Sequence, residues 1–268
     1  MTEPITTQRW VFRLGAVAAI VGSLAGMVGN LIHPATPLDD PPGVARAIAD
    51  SDAWTPIHLI IVVGIMLMLG GLLALYRSIP GGLARALAQF GWAAAIAGIA
   101  VGLVLVILDG VAAKQLADEW ARAPAEEQAA ALRVVLANET TNFALASLFN
   151  ILFAGATFIL LGLAVALSDV YPRWLGWVAV TAGLGSVGAG LIQALAGEPT
   201  MASRVLTIIG PTVITLWLAV MGILLVRLLR GRPRESDHVD GELVVPGLQR
   251  QSPAEIATHL SATSTRSA

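Results

Sequence analysis

Apolar residues along the chain gather into six blocks, approximately Leu14 to Ile32, Ile57 to Tyr76, Phe90 to Leu108, Phe143 to Leu167, Leu175 to Leu195 and Val205 to Val226. Each is close to or above the roughly 20 residues that an α-helix needs to cross the hydrocarbon core of a bilayer. The pattern predicts an all-α membrane protein with six transmembrane helices in residues 1–230. Arg9 and Arg13 precede the first block as they would a signal peptide. That block is too long, however, and lacks a small-x-small cleavage pattern before Pro34, so it is expected as a retained helix.

The polar stretches between blocks differ in kind. Ser78 to Gly82 is short and Pro/Gly-rich, which predicts a tight turn between antiparallel neighbours. Pro34 to Pro56 reads PATPLDDPP and then GVARAIADSDAW. It predicts a loop and a short surface helix, with Thr55 and Pro56 as N-cap and first position of the second span. Residues 110–141 place apolar side chains at helical spacing on either side of Pro124, predicting two amphipathic helices that form an extracytoplasmic cap. After Gly231 the chain turns charged and then polar, so 231–268 is expected to be a disordered cytoplasmic tail in which His238 and His259 are solvated. Such a tail is also the natural place for a protein partner to dock.

Basic residues give the orientation. Arg9, Arg13, Arg77, Arg85, Arg173, Arg227, Arg230, Arg232 and Arg234 fall on one side of a six-span chain, against Arg46, Lys114, Arg122, Arg133 and Arg204 on the other. The positive-inside rule then places both termini in the cytoplasm. Lys114 is the single lysine among 16 basic residues, and with the abundant alanine this points to a GC-rich bacterial genome and so to the bacterial inner membrane.

An internal repeat is legible in the odd-numbered spans. RLGAVAAIVG, QFGWAAAIAG and WLGWVAVTAG carry glycine pairs seven apart, at Gly15 and Gly22, Gly91 and Gly98, and Gly176 and Gly183. They predict three related helical hairpins whose small faces let backbones approach closely in lipid. The run YPRWLGWVAVTAGLG from Tyr171 to Gly185, with WTPIHLI at the start of the second span and the helical cap after the third, resembles a bacterial family of six-span integral membrane proteins carried as a domain of unknown function. The likeness spans about Arg9 to Arg230 and implies the fold, with no substrate or catalytic residue attached.

Composition narrows the chemistry. A net charge of -2 with no basic stripe argues against nucleic-acid binding, and the absence of cysteine excludes disulfides, thiolate metal ligands and a cysteine nucleophile. No phosphate-binding glycine loop, Gly-x-Ser-x-Gly elbow or HExxH spacing is present, so no catalytic residue, metal or cofactor is assigned.

What remains is a set of polar residues at one depth. Counting 1.5 Å per residue from the basic residues at the opposite helix ends, His33, His58, Asp109, Asn150 and Gln193 all approach the outer interface. Glu139, Asn142 and Asn150 share one face of the fourth span. Asp109 is expected to turn inward, with His58 and Asn150 as its partners. This polar ring has three readings: side chains facing interfacial water, structural glue holding the cap, or the lining of a cavity. If it is a cavity, the residues suit binding of a membrane lipid or small apolar ligand from the outer leaflet. A metal-dependent intramembrane hydrolase using His33, His58, Asp109 and Glu139 is the alternative, and transport of a small solute, helped by a helix break at Pro211, or a subunit role in a membrane complex are others.

The topology is directly testable. Alkaline phosphatase fused at Ala268 is expected to be inactive, and the same reporter inserted at Pro124 active; the opposite pattern would invert the orientation.

Overall fold

The computed structural model describes residues 5–37 and 39–230, and the tail expectations for 231–268 lie outside them. The described residues form helices α1 (Ile5–Leu31), α2 (Pro41–Ala49), α3 (Trp54–Ser78), α4 (Gly82–Ile107), α5 (Ala113–Arg122), α6 (Gln128–Phe149), α7 (Phe158–Leu167), α8 (Arg173–Ala196) and α9 (Met201–Arg230). A π-helical turn, Leu108–Ala112, joins α4 to α5, and a second π-helical segment, Asn150–Thr157, joins α6 to α7. Six helical runs are long and apolar enough to cross a membrane, and two of them, Gly82–Arg122 and Gln128–Leu167, exceed that length considerably.

Two helices form within 110–141, α5 and the first part of α6, on either side of a turn at Pro124, and each is continuous with a neighbouring span, α5 with α4 through the π turn. Gly110 does not break the third span, because a π turn absorbs it. The short helix α2 forms as expected, its first turn capped by the Asp40 carboxylate accepting from Gly43 N–H at 3.0 Å. Helix α3 begins at Trp54 after Ala53, so Thr55 is not its cap; its hydroxyl serves another purpose described below. Pro211 lies inside α9, and the helix runs on through it.

The spans form a closed ring. Each packs on its neighbour in the order α1, α3, α4, α7, α8 and α9, and α9 returns to α1. Phe12 and Ala16 near the start of α1 meet Leu225 near the end of α9, which puts both described chain ends at one end of the bundle, called proximal here. The proximal half of the ring is filled by Leu72, Leu75, Leu161, Phe158, Trp217, Leu218 and Met221, all buried. Apolar side chains on the outside, Val17, Leu24, Val63, Phe90 and Ile223 among them, stay exposed, as side chains facing lipid would be.

The resemblance-bearing motif ties the proximal end together. Tyr171 is buried and shares a 2.6 Å hydrogen bond with the Ser78 hydroxyl, and burial pushes its phenol up to about 12. Trp217 Nε1 donates to the Leu175 carbonyl at 2.8 Å. The YPRWLGW run is therefore a packing device remote from the polar residues.

The paired glycines sit at helix crossings, though not in one equivalent arrangement. Gly15 and Gly22 on α1 face α3, and Gly91 and Gly98 on α4 face α7 and the segment before it, so each contacts the following span. Gly176 and Gly183 on α8 instead face the preceding one. A β-carbon at Gly98 would lie 2.6 Å from the Phe153 backbone nitrogen, a group that cannot swing aside, whereas one at Gly185 would meet nothing. Gly98→Ala is thus expected to lower stability in detergent by about 1–3 kcal/mol, the usual range for overpacking. Gly185→Ala should be neutral or gain up to about 1 kcal/mol through helix propensity. Thermal unfolding of the two variants side by side checks the crossing.

Candidate functional site

The distal half of the ring is not filled. It encloses a cavity of about 410 Å³ walled by α1, α3, α4, α6, both π-helical segments, α8 and α9. All seven residues singled out by depth in the sequence, His33, His58, Asp109, Glu139, Asn142, Asn150 and Gln193, line it. The proximal part of the same wall is apolar, with Ile61, Ile65 and Met68 of α3, Phe153 and Ile214. From His58 to Met68 the cavity follows α3 for about 15 Å, half the thickness of a hydrocarbon core.

The polar end is organised by the π turn at Leu108–Ala112. A π turn departs from the regular i→i−4 ladder, and here three of its carbonyls accept from side chains of other elements. Trp54 Nε1 donates to the Asp109 carbonyl at 2.7 Å, the Thr55 hydroxyl to the Gly110 carbonyl at 2.8 Å, and Asn138 Nδ2 to the Leu108 carbonyl at 3.4 Å. Gly110 is bare for a reason: a β-carbon there would collide with the β-carbon and ring of His58. Distal to this point Ile48 of α2 and Trp54 pack on Ala113 and Ala117 of α5, and Lys114 Nζ donates to the Ala49 carbonyl at 2.7 Å. The π turn, the start of α3 and α2 are in this way one unit.

That unit fixes three rings and a carboxylate. His58, buried on α3, donates Nδ1–H to the Trp54 carbonyl at 2.7 Å and places Nε2 3.0 Å from Asp109 Oδ2. His33, just past the end of α1, donates Nδ1–H to the Pro34 carbonyl at 2.9 Å and places its Nε2 3.3 Å from His58 Nε2. A carbonyl only accepts, so both Nδ1 atoms carry protons and both Nε2 atoms point inward. Trp54 packs against both imidazoles, with ring centroids 4.8 and 5.0 Å away. Burial, reinforced by the neighbouring His58, holds the His33 imidazole below its ordinary value of 6.5, so that ring is neutral at pH 7.

The remaining expected residues divide. Glu139 and Asn142 stay at the polar end, joined by a 3.4 Å contact from Asn142 Nδ2 to Glu139 Oε1. Asn142 is buried and its Oδ1 has no hydrogen-bond partner; of the three buried polar side-chain atoms in that condition among the described residues, it alone lines the cavity. Asn150 does not reach Asp109, contrary to expectation, because it lies deeper and donates to the Thr207 hydroxyl at 3.2 Å. Gln193 donates to the Phe143 carbonyl at 2.9 Å, tying α8 to α6. These last two are braces in the cavity wall.

Sequence reasoning missed Arg204, Thr207 and Trp54 as wall residues. Arg204 lines the cavity from the first turn of α9, and no described residue pairs with its guanidinium. It was counted only as a loop charge, and its position after Thr200, which caps α9 by accepting from Ser203 N–H at 3.1 Å, would have placed it inside the helix. For Trp54, nothing local in the sequence distinguishes an interfacial anchor from a donor to a distant carbonyl.

The contact between His58 and Asp109 predicts a coupling. Asp109→Asn and His58→Ala are each expected to destabilise by about 1–3 kcal/mol, since either strands a partly buried partner. A double-mutant cycle should return a coupling of at least about 0.5 kcal/mol, and additive effects would mean that the two side chains do not interact. Compared with family models, with curated proteins and with solved structures, the chain matches none.

Proposed function

We propose that the protein is a multi-pass protein of the bacterial inner membrane that binds a single-chain amphiphile from the outer leaflet, its head at the polar end of the cavity and its chain along the apolar end. The observation that carries this is the division of one cavity into two chemistries. His33, His58, Asp109, Glu139, Asn142 and Arg204 surround one end and Ile61, Ile65, Met68, Phe153 and Ile214 the other. A volume near 410 Å³ is in the range of about 300–1,000 Å³ typical of small-molecule sites and suits one chain better than two.

The polar end also states what head it would take. Arg204, whose guanidinium has no partner among the described residues, favours an anionic oxygen, and Asn142 Oδ1 is an acceptor in want of a hydroxyl or N–H. Pro211 adds an acceptor, because it has no N–H to bond the Thr207 carbonyl one turn earlier in the cavity wall. With both termini cytoplasmic, the distal end is the outer one, and extensions of the third and fourth spans with α2 form its cap.

A photoactivatable fatty acid and the matching fatty alcohol, presented in vesicles to the full chain, test the reading. Crosslinks are expected on the peptides bearing Met68 and Ile214. Ile65→Trp, which fills the apolar end, should reduce them about tenfold, a loss of about 1.4 kcal/mol in binding. Arg204→Gln should weaken labelling by the acid and leave the alcohol unaffected. Labelling confined to the outward faces of the spans, or unchanged by Ile65→Trp, would overturn the proposal.

A further inference from the structure

We infer that His33 Nε2, His58 Nε2 and Asp109 Oδ2 form a binding site for a divalent transition-metal ion, zinc by its donor set, with an open coordination position facing the cavity. The three atoms lie within 4.8 Å of one another, and two of the separations are 3.3 and 3.0 Å. Tetrahedral ligands at zinc bond lengths of about 2.0–2.1 Å stand about 3.3 Å apart, so the constellation needs only small side-chain rotations to close on an ion.

Hydrogen bonding by itself leaves this cluster incomplete. With both Nδ1–H groups committed to the Pro34 and Trp54 carbonyls, neutral rings point two Nε2 lone pairs at each other and at a carboxylate: three acceptors without a donor. One proton on His58 would satisfy Asp109 and leave the His33 lone pair unmatched. A metal ion satisfies all three.

The surroundings match what metal-ligating histidines require. Each imidazole has its second nitrogen held by a backbone carbonyl, which fixes tautomer and ring orientation. Asp109 is aimed by the π turn, whose carbonyls are locked by Trp54, Thr55 and Asn138. Asp109 would balance one of the ion's two charges, and Glu139 lies in the same cavity wall. Two histidines and a carboxylate leave a position for water or for an oxygen of a bound head group, which makes the site Lewis-acidic toward whatever occupies the cavity.

The inference shares the cavity with the amphiphile reading without depending on it, because zinc can be measured in detergent with no added lipid. The full chain is stripped with chelator, desalted, titrated with Zn²⁺ and analysed for bound metal. One zinc per chain is expected, with affinity reduced at least about tenfold by Asp109→Asn and by His33→Ala. His33 follows α1 outside the helical ladder, so its variant tests the site even where His58→Ala fails to fold. Co²⁺ in place of zinc should give visible absorption bands in the wild type that the His33→Ala variant loses. A control lacking the tail histidines His238 and His259 should keep both signals. The inference is overturned if the wild type binds no stoichiometric zinc, if His33→Ala and Asp109→Asn both bind it undiminished, or if binding disappears with the tail histidines.

Discussion

A backbone carbonyl released from a helix within a membrane has no water to turn to, so a donor must be brought to it. This constraint organises the distal half of the protein. At the π turn Leu108–Ala112 the carbonyls of Asp109 and Gly110 accept from the indole of Trp54 and the hydroxyl of Thr55, and the Leu108 carbonyl, which keeps its bond from Ala113 N–H, is also reached by the amide of Asn138 from a second element. Once they do, the start of α3 and the middle of the third span can no longer slide past each other. The position of His58 against Gly110 and the direction of Asp109 go with that registration.

The same bundle is treated in opposite ways along its length. In the proximal half, glycine at the crossings lets backbones approach and large side chains fill the centre, as where Gly91 admits Leu161 and Trp217 packs edge-on to Phe158. In the distal half, the second π-helical segment, Asn150–Thr157, marks the change: below it the ring is plugged, above it the wall residues Asn150 and Gln193 spend their amides on Thr207 and Phe143 and hold α6, α8 and α9 at a fixed spacing. Braces of this kind keep a cavity from collapsing where apolar side chains would simply have packed together.

The six spans were legible in the sequence because lipid demands long apolar runs, and depth along those runs was enough to gather His33, His58, Asp109, Glu139, Asn142, Asn150 and Gln193 around one cavity. Direction was harder to read. Counted along the sequence Asp109 and Asn150 approach the same interface, yet in the fold Asn150 lies deeper, at the start of a π-helical segment where it meets Thr207 of α9, and nothing in NILFAGAT announces that segment. At residues 110–141 the helical periodicity is legible, but neither the π turn that joins α4 to α5 nor the room that the missing side chain of Gly110 makes for the His58 ring can be read from it. Both misses concern local geometry decided by a partner far away in sequence, which periodicity cannot register.

A polar ring that served only to hold helices together would be expected to satisfy itself, since each buried group left unmatched costs about 1–3 kcal/mol and an apolar replacement would be cheaper. The braces Asn150 and Gln193 behave in that manner. The distal groups do not: Asn142 Oδ1 is buried without a donor, the Arg204 guanidinium has no described partner, and two imidazole lone pairs and a carboxylate converge on one point. These unmet requirements are of different kinds, one for a donor, one for an anion and one for a cation, and they border one cavity whose other end is apolar. Structural glue leaves Asn142 Oδ1 and Arg204 unexplained, whereas the proposed site, a cation with a head group against it, would meet all three requirements with the residues already in place.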